Sequence, residues 1–305
     1  SIMIFKRWRT LGIALLCAVT LAVVPAFGVN RLSKSRCFQL TGEFVCSVDT
    51  QERLVALTFD DGPTPEGVDA VLPILEAHGA RATFFLIGNR MEKFPGQAER
   101  LLQAGHELGN HSWSHQRNIG KSRAFYREEI SSTHDALEQA GSTPVWFRPP
   151  FGRRLIGLPQ EVERAGYRLA MWDVEDRPED FDGDPQALAD DILERARPGS
   201  IILMHPMYRH NQSARDALPI VLRGLEERGL RAGTEDLAAA TRVWCTDGGG
   251  AALDALSEQV ITHTFEVARA EEKGRRDLAN GLDVAVGEGA HDLAIGLDNE
   301  ELKAT

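Results

Sequence analysis

Two adjacent carboxylates, Asp60 and Asp61, end the apolar run Val55–Phe59 and are followed by Gly62 and Pro63, residues typical of a turn. Neighbouring residues of a strand point to opposite sides, so one carboxylate can bind a metal while the other accepts a proton. Like charges this close resist joint ionisation unless a cation lies beside them. Taken alone, the segment fits a solvated turn equally well.

Two histidines, His111 and His115, are spaced four residues apart, so both imidazoles can face one ion. On its own this spacing is a weak indicator of a metal site. With an aspartate from the end of another strand it becomes a set of two histidines and one carboxylate. Such a set leaves positions open for water and substrate, as catalytic zinc requires, and zinc lowers the pKa of bound water to about 7.

An arginine and a further histidine also follow apolar segments. Arg148 precedes the rigid turn Pro149–Gly152 and is either a structural cap or a partner that orients a nearby aspartate. His205 ends the apolar run Ile201–Met204. A lone histidine there would more often be a satisfied core residue, but beside a metal set it fits a general acid.

Between Glu52 and Arg242, short apolar runs alternate with longer amphipathic stretches. The predicted strands are Leu54–Phe59, Ala82–Ile87, Glu107–Gly109, Val145–Arg148, Arg168–Trp172, Ser200–Met204 and a weaker Leu230–Ala232. The predicted helices are Pro65–His78, Pro95–Ala104, Arg123–Ala140, Pro159–Ala165, Pro185–Ala196, Ala214–Arg228 and Glu235–Ala240. This alternation predicts parallel strands with right-handed crossovers, as in a barrel or a doubly wound sheet.

The polar clusters share one position relative to these elements, because each directly follows a predicted strand. They are Asp60-Asp61, His111–His115, Arg148–Gly152, Asp173 and His205. In a (β/α) barrel such positions form one ring at the carboxyl ends of the strands, where barrel enzymes carry their chemistry.

The N-terminal residues predict export. Lys6, Arg7 and Arg9 precede an uncharged, mostly apolar run from Leu11 to Val29. Residues 1–29 therefore resemble a signal peptide or, if uncleaved, a membrane anchor. The expected location is periplasmic, extracellular or on the outer face of the cytoplasmic membrane.

Export permits disulfides, and Cys37 and Cys46 bracket a predicted hairpin within residues 30–51. Opposed positions of a hairpin come within disulfide range, so we expect a Cys37–Cys46 bridge. Cys245 is left over and is expected to be a bystander.

The charge of the chain is acidic and unevenly placed. The formal net charge is −11, from 45 acidic and 34 basic residues. The absence of a basic patch argues against nucleic-acid binding. From Asp247 onward, 13 acidic residues stand against 5 basic ones and aromatic residues nearly vanish. Residues 244–305 are therefore expected to be an acidic, flexible tail.

Four segments resemble, in order and spacing, the motifs of the polysaccharide deacetylase family, which shares the domain of the NodB chitooligosaccharide deacetylase and is carbohydrate esterase family 4. They are Thr58–Pro63, His111–His115, Arg148–Gly152 and Ser200–His205. The resemblance implies a catalytic domain at residues 52–243 with a distorted, incomplete (β/α) barrel. It also implies a divalent metal, usually zinc, with cobalt or manganese as alternatives. The implied reaction is hydrolysis of N-acetyl groups on amino-sugar polymers, or of O-acetyl groups in some members.

The resemblance also implies a role for each matching residue. The implied metal ligands are Asp61, His111 and His115. Asp60 would be the general base, Arg148 would hold that base, and His205 would protonate the leaving amine. The substrate contacts carried over are Pro150, Phe151, Trp172 and Leu203. The backbone N–H of Phe151 would bind the oxyanion, and Trp172 and Leu203 would shape a pocket for the acetyl methyl group.

Two features depart from the family pattern. The acid that tunes the catalytic histidine is ambiguous, because three residues could serve: Asp173, Asp176 and Asp180. The last barrel strand is also weak, since Leu230–Ala232 contains an arginine where an apolar run is expected. Neither departure touches the implied metal set.

An acetylated glycan is therefore the expected partner, no nucleic acid is expected, and a membrane is expected only through an uncleaved N-terminal segment. The oligomeric state stays open. The alternatives are an O-acetyl esterase acting on xylan or another acetylated glycan, and a catalytically silent glycan-binding module.

Overall fold

The computed structural model describes Cys37, residues 44–154 and residues 157–233. The predictions for residues 1–29, for the hairpin turn within 38–43, for the helix at 235–240 and for the tail at 244–305 lie outside the described residues. The predicted Cys37–Cys46 disulfide is confirmed, with the two Cα atoms 5.6 Å apart. Among the described helices, none has the length and apolar character needed to cross a membrane.

The described residues form strands and helices in alternation. The strands are β1 (Phe44–Val45), β2 (Leu54–Gly62), β3 (Thr83–Leu86), β4 (Glu107–Asn110), β5 (Trp146–Phe147), β6 (Arg168–Ala170), β7 (Val174–Glu175), β8 (Ile201–Met204) and β9 (Arg231–Ala232). The α-helices are α1 (Pro65–Ala77), α2 (Gly88–Lys93), α3 (Gln97–Gln103), α4 (Arg123–Gln139), α5 (Gly157–Arg164), α6 (Pro185–Arg195) and α7 (Gln212–Glu227). Two short 3-10 helices span Pro150–Gly152 and Pro178–Phe181.

Most predicted elements agree with the structure to within a few residues, and their ends have local causes. Helix α1 begins after Thr64, whose side chain accepts a hydrogen bond from the Gly67 N–H. Asp184 caps α6 in the same way. Strand β1 lies in the second arm of the predicted hairpin, whereas β7 and α2 were not predicted. Each has too few residues to show a hydrophobic period.

The strands form one curled, parallel sheet. Their order is β1-β6-β5-β4-β3-β2-β8-β7, and β9 pairs with the start of β2. Strands β6 and β7 lie near opposite ends of this order, yet only the three residues 171–173 join them. Such a connection spans at most about 14 Å, so the sheet must curl until its ends approach. The prediction of a distorted, incomplete (β/α) barrel is therefore confirmed.

The alternation of side chains on β2 separates the two sides of the barrel wall. Val55, Leu57 and Phe59 pack in the large cluster that includes the helices. Ala56 belongs to the cluster inside the barrel, with Phe85, Trp146 and Leu203. The inward positions Thr58 and Asp60 continue this series toward the carboxyl end of the strand. Because Phe59 packs against the helices outside the barrel, its neighbour Asp60 points to the inside, at the mouth of the barrel.

Gly199 ties the segment before β2 to the barrel. Its N–H donates to the Leu54 carbonyl, and its carbonyl accepts from the Val48 N–H, both at 2.8 Å. Its φ is +80°, and a Cβ atom there would lie 1.9 Å from the Val48 oxygen. Gly79 also has a positive φ, of +57°, but a Cβ atom there would meet nothing within 4 Å.

We therefore predict that Gly199→Ala destabilises the fold more than Gly79→Ala. The second substitution adds only the backbone strain of a left-handed alanine, about 1–2 kcal/mol. Gly199→Ala adds a clash with the Val48 backbone oxygen to this strain, and it should lower the free energy of unfolding by about 3 kcal/mol or more. Urea unfolding followed by tryptophan fluorescence measures both; equal losses would contradict the clash.

Candidate metal and catalytic site

A break in the β2–β3 register lies at the two carboxylates. The pairing shifts between Phe59 and Gly62, so Asp60 and Asp61 occupy the irregular part of the strand. Asp61 has a φ of 72°, in the left-handed region. Because such an irregularity redirects side chains, Asp61 turns away from the path of Asp60 and toward the loop after β4.

The structure brings Asp61, His111 and His115 together at this point. One ligand atom of each lies within 4.8 Å of the other two. Oδ1 of Asp61 is 2.9 Å from Nε2 of His115 and 3.5 Å from Nε2 of His111. These are the three residues that the family resemblance implies as metal ligands.

The two imidazoles differ in how they are held. His111 is buried, and its Nδ1 donates to the Arg148 carbonyl at 2.7 Å. This bond leaves the lone pair on Nε2, the atom facing Asp61. His115 is partly exposed, and its ring packs against Phe151 at a centroid distance of 4.8 Å.

The donor set fits a divalent cation. The buried Oδ1 of Asp61 receives no hydrogen bond from a described residue, although Nε2 of His115 lies within 3 Å. The two atoms are therefore close but not aligned with each other, as expected where both turn toward a shared ion. Burial raises the pKa of Asp61, but the close approach of the His111 and His115 imidazoles and the charges of His111 and His205 outweigh burial and hold this pKa well below its usual range. The carboxylate is thus ionised and ready to bind a cation.

Asp60 is fixed by a buried arginine. Nη1 of Arg148 donates to Oδ1 of Asp60 and to Oγ1 of Thr58, each at 2.8 Å. The guanidinium also donates to the carbonyls of Ala170 and Met171, at 3.0 and 3.1 Å. It lies over the Phe85 ring at 4.0 Å from the centroid. Oδ2 of Asp60 is left 3.6 Å from Nε2 of His111, at the edge of the metal set.

His205 is held by Asp176, which identifies the tuning acid among the three candidates. Nδ1 of His205 lies 2.7 Å from Oδ1 of Asp176, and the His205 N–H donates to Oδ2 at 2.8 Å. Burial lowers the pKa of His205, but the Asp176 carboxylate, with help from Asp60 and Asp61, raises it to about 10. The imidazole is therefore protonated at neutral pH.

The other two acids have different partners. Asp173 accepts from the Ile201 N–H at 2.8 Å and from the Ser200 hydroxyl at 3.1 Å, so it fixes the start of β8. Asp180 pairs with Arg177 at 3.0 Å on the surface. The pairing of β7 with β8 explains why Asp176, rather than Asp173 or Asp180, contacts His205. Asp176 directly follows β7, and this pairing places it beside the end of β8, where His205 lies.

The substrate contacts implied by the resemblance lie on one side of the site. Phe151 is 54% exposed and adopts a left-handed φ of 57°. It lines a cavity of about 250 Å³ together with Trp172 and Gly152. Pro150 is buried in the short helix below it, and Leu203 is buried in the cluster that contains Trp172. Their roles toward a substrate stay predictions.

Four of the five non-glycine residues with positive φ in the described part of the chain surround this site. They are Asp61, Ser112, His115 and Phe151. Left-handed backbone at such residues persists only where surrounding contacts enforce it. Asn110 supplies one such contact, since its Oδ1 accepts from the Ser112 N–H at 3.0 Å. Neither Asn110 nor Thr58 was singled out from the sequence, because both act through hydrogen bonds to other residues.

Comparison with known proteins agrees with this geometry. The polysaccharide deacetylase family model matches residues 47–170. A peptidoglycan-N-acetylmuramic acid deacetylase of Bacillus subtilis is 34% identical over 188 residues, which are 61% of this chain and 38% of that protein. A peptidoglycan-N-acetylglucosamine deacetylase of Bacillus cereus is 31% identical over 193 residues, 63% of this chain and 90% of that protein. The chain thus spans little more than a third of the first relative and most of the second.

The fold is shared with solved structures. The crystal structure of a wild-type CE4 family pseudoenzyme from Bacillus anthracis has a TM-score of 0.59 and 27% identity, over 64% of this chain and 68% of that one. The match to nine tenths of the Bacillus cereus relative shows that this chain belongs to the polysaccharide deacetylase family, carbohydrate esterase family 4.

Proposed function

We propose that this protein is a metal-dependent hydrolase that removes N-acetyl groups from amino-sugar polymers or oligomers of the peptidoglycan or chitooligosaccharide type. A pseudoenzyme shares the fold, so the fold alone does not carry the proposal. The proposal is supported by the positions of the residues implied as base, acid and metal ligands, each of which lies at or after the carboxyl end of a strand of the barrel. Asp60 is held by Arg148, and His205 is held by Asp176. One ligand atom each of Asp61, His111 and His115 lies within 4.8 Å of the other two.

Asp61, His111 and His115 would hold the cation. A bound divalent ion supplies Lewis acidity toward the acetyl carbonyl and a lowered pKa for water. One carboxylate and two imidazoles are ligands typical of catalytic zinc, which we propose as the native metal, with cobalt or manganese as alternatives.

Asp60 is placed to accept a proton from the attacking water. Arg148 fixes Oδ1, so Oδ2 is the oxygen directed toward the metal set and free to act as the base. As the proton moves to Asp60, the water oxygen bonds to the acetyl carbon.

His205 is placed to give a proton to the departing nitrogen as the C–N bond breaks, which yields the free amine and acetate. The negative charge that develops on the carbonyl oxygen needs a donor. The Phe151 N–H suits this role, because the ring of the same residue lies against His115 and no described residue accepts its hydrogen bond.

Two aromatic rings near the site support a glycan as the partner. Phe151 lies against His115, and Tyr208 follows His205 by three residues. Each carries an arginine over its ring, Arg117 at 5.5 Å and Arg90 at 5.2 Å from the centroid. Amphipathic rings with polar neighbours suit the flat faces and hydroxyl groups of sugars. The basic and apolar N-terminal segment supports export to the periplasm, the exterior or the outer face of the membrane, where such glycans occur.

An O-acetyl esterase is the second candidate, since esters and amides react through similar tetrahedral states. We therefore propose an acetate-release assay of the zinc-loaded protein on chitin oligomers, peptidoglycan and acetyl-xylan. Release of acetate with new free amines is the expected result. Release from acetyl-xylan alone would favour the esterase, and binding without release would favour a silent glycan-binding module. Chelation should abolish turnover, and zinc, cobalt or manganese should restore it.

We predict that Asp60→Asn retains zinc but lowers kcat by about 10²–10⁴-fold, the range expected for loss of a general base. Zinc content is measured by elemental analysis and turnover by acetate release. Asp69→Asn, which removes a carboxylate from the exposed side of α1, is the matched control and should leave both unchanged. Near-normal turnover in zinc-loaded Asp60→Asn would refute the base assignment.

We predict that Asp176→Asn moves the alkaline limb of the kcat/KM–pH profile to lower pH by about one to three units. The carboxylate raises the pKa of His205, so its loss lowers that pKa and deprotonates the acid at lower pH. Asp180→Asn removes a surface carboxylate from the same connection and should leave the limb in place. If the alkaline limb of Asp176→Asn stays where it is in the wild type, Asp176 does not raise the pKa of His205.

A further inference from the structure

A buried carboxylate that the proposed mechanism does not use lies behind the metal set. Glu129, on α4, is only 6% exposed. Its Oε2 accepts from the Ser114 N–H at 2.9 Å, and its Oε1 accepts from the Ser114 hydroxyl at 2.6 Å. Both oxygens are therefore committed to the residue next to His115. Within the part of the chain that the structure describes, no cation lies within ion-pair distance of Glu129.

The loop His111–His115 has other supports, but among the described residues none of them bonds to Ser114. The His111 N–H donates to the Leu86 carbonyl at 3.0 Å, its Nδ1 donates to the Arg148 carbonyl at 2.7 Å, and the Ser112 N–H donates to Oδ1 of Asn110 at 3.0 Å. The carbonyls of Ser112 and Trp113 accept from the N–H groups of Gly88 and Asn89, at 3.0 and 3.1 Å. The His115 N–H donates to the Ser112 hydroxyl at 3.2 Å, within the loop. Among the residues that the structure describes, Glu129 thus provides the only hydrogen bonds between Ser114 and a separate helix.

This loop needs support, because Ser112 and His115 have left-handed φ angles of 66° and 54°. Each such residue costs of order 1–3 kcal/mol, so a loop that lost its contacts would relax toward ordinary backbone. Relaxation would move the His115 imidazole, which is partly exposed and lacks the carbonyl contact that orients His111.

We propose that Glu129 is a positioning residue that holds Ser114 and thereby keeps His115 in place to ligate the cation. The inference rests on the proposed metal site and deepens it. A purely structural role would stabilise the protein without changing how it binds a metal. A positioning role must instead appear in the affinity and the geometry of the metal complex.

The test measures zinc affinity by competition with a chromogenic chelator, and ligand geometry by the visible absorption spectrum of the cobalt-substituted protein. Glu129→Ala should weaken zinc binding by about 10- to 100-fold and change the cobalt spectrum. Ser114→Ala removes one of the two hydrogen bonds and should shift both readouts in the same direction by less. Glu128→Ala, at an exposed position of the same helix, is the control and should match the wild type.

Wild-type zinc affinity and cobalt spectrum in Glu129→Ala, with only a lower Tm of the metal-free protein, would overturn the proposal. If that variant does not fold, Ser114→Ala decides by the same two readouts, because it leaves the Ser114 N–H bonded to the carboxylate. A wild-type protein that binds no zinc would refute the metal site itself, a result distinct from failure of the Glu129 proposal.

Discussion

The ion pair between Arg148 and Asp60 is the interaction on which the rest of the site depends. Arg148 is fully buried inside the barrel, where an unpaired charge would be costly. Its guanidinium is satisfied by the Asp60 carboxylate, the Thr58 hydroxyl and two main-chain carbonyls. Its own carbonyl accepts the bond that orients His111. A single residue therefore fixes Asp60 through its side chain and His111 through its main chain.

The hydrogen bonds of Arg148 also connect several strands of the barrel. Arg148 follows β5, but it bonds to Thr58 and Asp60 on β2 and to the main chain at the end of β6. Thr58 in turn donates to the Ile202 carbonyl on β8 at 2.8 Å. The bonds from Arg148 to Thr58 and Asp60 cross the interior of the barrel and join the end of β5 to β2, two strands that are not neighbours in the sheet. The polar groups of the candidate site thus also help to hold the curl that brings the strand ends together.

Much of this arrangement could be predicted from the sequence. The period of apolar residues located most strands and helices, and the residues that follow the strands located both carboxylates, both histidines of the loop, Arg148 and His205. The assignment of Asp176 could not be predicted, because it depends on the pairing of a two-residue strand with β8. Glu129 and Asn110 also gave no signal, since an acid or amide on a helix or strand looks like any other polar residue until its partner is known. Sequence patterns identify residues that act through their position at the end of a strand. Residues that act through a contact with a distant segment can be identified only once the fold is known.

The incomplete closure of the barrel has a consequence for solubility. An open sheet exposes two edges, and an exposed edge strand can template pairing with another chain. Here the strands at the two ends of the order, β1 and β7, have two residues each. Edges this short offer too few hydrogen bonds to recruit a second strand, and the nearby Cys37–Cys46 disulfide tethers the chain beside β1. The short end strands therefore limit aggregation through the edges of the sheet.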